Sequence, residues 1–216
     1  MSQSYIMEYI SKHRFELFLV SFLILLFGDA LIPAQWKDGA ILIFLIQNIV
    51  CSLLLFVDQP KRKTYLMIFV AGATILMAII RYWNPGSLSY VYSFFILVYF
   101  LLVGHTLFKL VLAQKVVSLK TVAAVFCGFM LLAMVATIVF SILHVSQPAF
   151  KGIEDNDFSS LLYFSFITLL TIGYGDITPT SYLAQRLVIL FGLIGNFYSV
   201  FVIALFVGKY MSSLED

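Results

Sequence analysis

The residues whose types and spacing promise the most definite chemistry are consecutive: Thr171, Ile172, Gly173, Tyr174, Gly175 and Asp176, with Thr168 three positions before Thr171. Their chemistry is that of backbone oxygen. A cation entering a narrow passage sheds its water, and a row of carbonyl oxygens of similar spacing and field strength can replace that shell. Turning successive carbonyls toward one axis takes conformations that a Cβ resists, which accounts for glycine at 173 and 175. Thr171 adds a hydroxyl at the inner end of the row. The Tyr174 ring is expected to point away from the axis, where packing would hold the row at a fixed diameter.

The whole phrase from Thr168 through Thr171, Ile172, Gly173, Tyr174, Gly175 to Asp176 resembles the signature of the tetrameric potassium channel family. The resemblance implies a selectivity filter in which Thr171, Ile172, Gly173, Tyr174 and Gly175 bind K+ as the permeant ion, with the pore-helix Thr168 behind them. It implies four chains around one axis, hence a homotetramer, with passive conduction and neither an enzyme reaction nor a cofactor. Asp176 falls at the outer mouth, where relatives use a carboxylate to brace the filter from behind. Gly195, twenty residues after Gly175, lies where relatives place the inner-helix hinge. Gly192, three residues earlier, leaves close helix packing equally open. Asn196 and Ser199 are polar within an apolar stretch, and Asn196 is expected to face cavity water. Two positions depart from the family pattern. Ile167 stands four residues before Thr171, where some bacterial relatives have a carboxylate, and Tyr163 stands thirteen before Asp176, where many have tryptophan. The Tyr163 hydroxyl can still donate a hydrogen bond, so the expectation is a thinner brace and a filter prone to closing at its outer end.

Such a row must be held at membrane depth, and the composition supplies that setting. Hydrophobic residues make up 62% of the 216 and charged residues 11%, where soluble domains carry about a quarter charged. The fold class expected is therefore all-α and integral to the membrane. Six apolar stretches approach the roughly twenty residues a spanning helix needs: 15–32, 40–57, 64–82, 89–113, 119–144 and 182–210. Between the fifth and sixth, 158–170 is apolar but short, as a re-entrant pore helix would be, with Asn156 or Asp157 as its N-cap. Lys12, His13 and Arg14 ahead of the first stretch suggest a signal peptide, but no small-residue cleavage site follows.

The domains expected are an N-terminal segment 1–14, a four-helix unit 15–113, a linker 114–118, a pore unit 119–211 and a tail 212–216. With the N-terminus inside, Lys12, Arg14, Lys61, Arg62, Lys63, Lys109, Lys115, Lys120 and Lys209 are cytoplasmic, and only Lys37, Arg81, Lys151 and Arg186 are outside. Nine against four of the 13 basic residues puts both termini in the cytoplasm of a multi-pass cell-membrane protein. Trp36, Tyr82, Trp83 and Tyr90 then gather at the outer headgroup layer. The four-helix unit has the helix count of a voltage sensor, yet 89–108 contains no Lys or Arg, so its fourth helix is not expected to sense voltage. Seven residues after Lys209 and eleven before Lys12 leave no room there for a ligand-binding domain, which points to gating in the filter, the inner helix or a separate partner.

The remaining polar residues carry weaker expectations. Gln47 and Asn48 read as interhelical hydrogen-bonding groups, and Asp29 and Arg81 as an outer ion pair. Asp29, Asp38, Glu154, Asp155 and Asp157 offer a response to external pH. His13, His105 and His144 are too scattered for a metal site and read as packing or interface residues. Cys51 and Cys127 sit in apolar runs, as small buried hydrophobes do. A net charge of +2 gives no reason to expect nucleic acid. The partners expected are K+, the lipid bilayer and three further copies of the chain. The alternative is a membrane sensor or accessory subunit that keeps the channel fold without carrying current. Permeation by sodium is disfavoured because Tyr174 preserves the full row of sites.

Overall fold

Proline placement decides where helices can run, because an interior proline removes a backbone donor and clashes with the preceding turn. Pro33, Pro60, Pro148 and Pro179 all lie between helices. The computed structural model describes residues 3–57, 59–84, 89–114, 119–153 and 158–215. Its helices are α1 (Gln3–Phe27), α2 (Lys37–Leu53), α3 (Lys61–Trp83), α4 (Ser89–Leu112), α5 (Leu119–Ser146), α6 (Phe158–Leu169) and α7 (Tyr182–Glu215), with two short strands, β1 (Phe150–Lys151) and β2 (Thr178–Pro179). Asn156, Asp157 and most of the linker 114–118 lie outside the described residues.

Among the described residues, five helices are long and apolar enough to cross a membrane, with spans Gly39–Phe56, Lys61–Trp83, Tyr90–Leu112, Lys120–Ser146 and Tyr182–Leu205. Six were expected. The stretch 15–32 is not one helix: α1 stops at Phe27 and a 3₁₀ segment, Gly28–Leu31, follows. The Phe44 ring of α2 approaches so closely that a Cβ on Gly28 would lie 2.7 Å from its Cε2. At the other end the expected tail 212–216 is helical as far as Glu215, because nothing in 182–215 interrupts the i to i−4 ladder.

The chain divides into two compact units, Met1–Gly128 and Phe129–Asp216. In the first, Phe18, Phe22, Tyr99 and Phe100 form an edge-to-face aromatic core joining α1 and α4, with ring centroids 4.8–6.1 Å apart. Buried polar groups within that core are paired. The Asn48 amide on α2 donates to the Ser21 hydroxyl on α1 at 3.1 Å and accepts from the Tyr99 hydroxyl on α4 at 3.2 Å. Three helices are thus tied through one side chain. Gln47 turns instead toward Cys51 of its own helix, at 3.7 Å, and its Oε1 is buried without a hydrogen bond. Arg81 lies over the Tyr92 ring, 5.2 Å from its centroid. The Asp29 side chain expected to pair with it is outside the described residues.

The second unit is built around Phe140 of α5. Its ring meets those of Phe150 on β1 at 5.4 Å, Phe164 on α6 at 5.7 Å and Phe191 on α7 at 5.5 Å. One residue thereby gathers every element that flanks the 170–181 loop. The strands pair antiparallel, Phe150 opposite Pro179 and Lys151 opposite Thr178, and the Thr180 amide extends the pairing to the Ala149 carbonyl at 2.8 Å.

Candidate functional site

Helix α6 ends because the chain folds back over its own last turn. The Thr171 amide donates to the Thr168 carbonyl at 3.0 Å, and the Ile172 and Gly173 amides both donate to the Ile167 carbonyl, at 2.8 and 3.3 Å. Ile167 is buried. Its side chain therefore fills core while its carbonyl anchors the segment beyond it. Three residues then adopt positive φ, Thr171 at 59°, Gly173 at 58° and Gly175 at 80°, and Ile172 and Tyr174 between them do not. An extended strand throws its carbonyls to alternate sides. Reversing the sign of φ at every second residue cancels that alternation, so consecutive carbonyls fall on one side. Glycine meets this demand freely at 173 and 175. Thr171 does not, and a β-branched residue held there costs on the order of 1–3 kcal/mol. Nothing in its residue type signals that conformation; only the period of two does.

Thr171, Ile172, Gly173, Tyr174, Gly175 and Asp176 are all exposed in the single chain. Tyr174 is 71% exposed, so its own chain covers little of the ring. Behind the segment, the Asp176 carboxylate accepts a hydrogen bond from the Tyr163 hydroxyl of α6, and that bond holds the phenol above its ordinary range. The Asp176 backbone is held from the other side. Gly152 adopts φ of 87°, and a Cβ there would overlap the Asp176 carbonyl oxygen, so the strap after β1 approaches the loop more closely than any side chain allows.

On α7, Gly195 is buried against the end of α6, and a Cβ there would lie 2.5 Å from Leu169 Cδ2. Gly192 has open space around it. Close packing is therefore the contact visible at Gly195, and α7 runs through it unbroken. Asn196 is exposed, and the Ser199 hydroxyl returns to the Gly195 carbonyl of its own helix at 3.1 Å. Among the described residues, no cluster of His, Cys, Asp and Glu could hold a metal ion. His144, expected as a packing or interface residue, accepts the amides of Ala149 and Phe150 at its Nδ1, at 3.2 and 3.3 Å, a role that no sequence signal marks.

The stretch from α5 through the 170–181 loop to α7 also carries a family likeness. Residues 125–212 match a family model described as an ion channel. The match takes in most of α5, all of α6 and the Thr171–Asp176 segment, and all but the last residues of α7. No curated protein and no solved structure matches the chain. The second unit is thus similar to ion channels, and the apolar helices give it a membrane setting.

Proposed function

We propose that the chain is the subunit of a homotetrameric potassium channel, in which four copies of Thr171–Gly175 line the axis and K+ passes down its gradient from one carbonyl ring to the next. The alternating φ at Thr171, Gly173 and Gly175 is the observation that carries this reading, because it puts a row of unshielded carbonyls on one side of the chain. A single copy supplies only one wall. Tyr174 and Ile172 are uncovered, and only 11% of the span Tyr182–Leu205 is buried, so both the segment and the helix beside it present apolar surface for a neighbouring copy. Closed rotational symmetry about the axis is the economical way to cover both. Tyr174 keeps the full row of carbonyl sites, which favours potassium over sodium.

Gating belongs to the pore unit in this proposal, since 89–108 offers no Lys or Arg for the membrane potential to move. The brace behind the filter is a single hydroxyl, Tyr163 to Asp176, and Ile167 contributes no carboxylate. The filter is accordingly the place to look for closure. The decisive experiment reconstitutes the purified protein in liposomes and follows potassium flux with and without barium. Barium-sensitive potassium flux that excludes sodium is expected. An intact tetramer with no flux at any pH or voltage would overturn conduction and favour a sensor or accessory subunit.

A further inference from the structure

His144 stands in the last turn of α5, where the chain leaves the helix toward β1. Its Nδ1 accepts hydrogen bonds from the amides of Ala149 at 3.2 Å and Phe150 at 3.3 Å. Both residues are buried, so their amides have no water to turn to, and a buried donor left unpaired is costly. A ring nitrogen that accepts carries no proton, so the imidazole that makes these bonds is neutral, with its hydrogen on Nε2. The chain it holds leads straight to the Thr171–Asp176 segment. The Ala149 carbonyl accepts the Thr180 amide at 2.8 Å, Phe150 and Lys151 pair with Pro179 and Thr178, and Gly152 seats against the Asp176 carbonyl.

We propose that His144 is a positioning residue for the outer end of the ion passage: unprotonated, its Nδ1 latches the strap 149–152 against Asp176–Thr180, and protonation releases it. The proposal rests on reading Thr171–Gly175 as that passage. Once Nδ1 gains a proton, the ring presents a donor to two donors and both bonds are lost together. Imidazole is the side chain whose charge ordinarily changes between about pH 5 and about pH 8. The ring is half-buried, tilted at 54° against Phe150 with centroids 6.0 Å apart, and Phe150 belongs to the apolar cluster of Phe140, Leu143, Phe164 and Ile177. The ionisable groups on the surrounding elements are Lys151 on β1, Tyr163 on α6, Asp176 in the loop, and Tyr182 and Arg186 at the start of α7. Among the described residues no carboxylate forms an ion pair with His144.

Two readings on the full chain in liposomes test the latch: potassium flux, and hydrogen exchange at the Ala149 and Phe150 amides corrected for the intrinsic effect of pH. On acidification from about pH 8 to about pH 5, flux should fall about tenfold and the two amides should lose protection, as expected for two modest hydrogen bonds broken together. His144→Asn places a carbonyl oxygen close to the position of Nδ1 and cannot titrate, so flux and protection should stay at their alkaline values throughout. His144→Leu offers no acceptor and should show the acid behaviour at every pH. Unchanged protection in the unsubstituted protein, or an acid response that survives in His144→Asn, would overturn the latch. Absence of flux at every pH would overturn conduction alone, and the exchange reading would still decide the latch.

Discussion

Tyr163 and Asp176 meet through one hydroxyl behind the carbonyl row. Their hydrogen bond raises the phenol above its ordinary value, which means the neutral, donating form is the one favoured. The bond is therefore fully available below the ordinary phenol range and is lost only as pH rises through the raised value. External alkalinity up to about pH 9 should leave the filter's behaviour unchanged through this pair, as current records at stepped external pH would show. Removing the donor is a different matter. Tyr163→Phe keeps the ring and deletes the hydroxyl, so current under steady stimulation at low external potassium should decay faster. Tyr163→Trp restores a donor, the indole N–H, and should slow the decay again. A steady current at low potassium that Tyr163→Phe leaves unaltered would dismiss the idea of a thin brace. Thr171 presents the opposite case at the same scale. Its positive φ is a strain that Thr171→Gly would relieve locally, while deleting the hydroxyl at the inner end of the row.

Among the elements, α6 and the turn beyond it were legible in sequence because short apolar length and a glycine at every second residue are local signals. The first helix was not. It ends at Phe27, beside the place where Phe44 of α2 reaches Gly28, a contact between residues that no window along the chain brings together. The strap was equally hidden, since strands of two residues have no period to read. Gly195 belongs between these cases: its position pointed to α7, but its use is set by Leu169 on another element. Gly195→Ala should push Leu169 aside and disturb the end of α6, whereas Gly192→Ala, facing open space, should be close to neutral. Adding Leu169→Ala to Gly195→Ala should recover part of the loss, and a double-mutant cycle on thermal stability in detergent measures that coupling. In the first unit, Asn48→Leu removes both interhelical bonds at once and strands the buried Tyr99 hydroxyl. Interhelical bonds in membranes average only about 0.6 kcal/mol, so the orphaned hydroxyl raises the expected loss to about 1–3 kcal/mol. Serine at 48 is too short to span Ser21 and Tyr99 and should rescue little.

For the molecule as a whole, the question is what the two units contribute to an open path. In the second unit one aromatic cluster takes in Leu169 before the carbonyl row, Ile177 after it and Ala149 and Phe150 of the strap, so the proposed filter and the proposed latch rest on the same core. The first unit resembles a sensor in helix count alone. Each elementary charge crossing the field gains roughly 2.3 kcal/mol per 100 mV, and sensors earn steep voltage dependence by moving several such charges. Residues 89–108 of α4 supply none, and Asn48 and Tyr99 tie that helix to α1 and α2 through buried hydrogen bonds. A helix so fastened, with no Lys or Arg before Lys109 in its last turn, has neither a handle for the field nor freedom to slide. Flux through the reconstituted protein should therefore change little with membrane potential once the driving force is divided out. Replacing His105, the one side chain between Ser93 and Phe108 that can carry a positive charge, with Gln should leave that flat relation intact. A steep conductance–voltage curve that flattens in His105→Gln would return sensing to α4. A steep curve indifferent to that change, but altered by external potassium, would place the voltage dependence among the ions in the row itself.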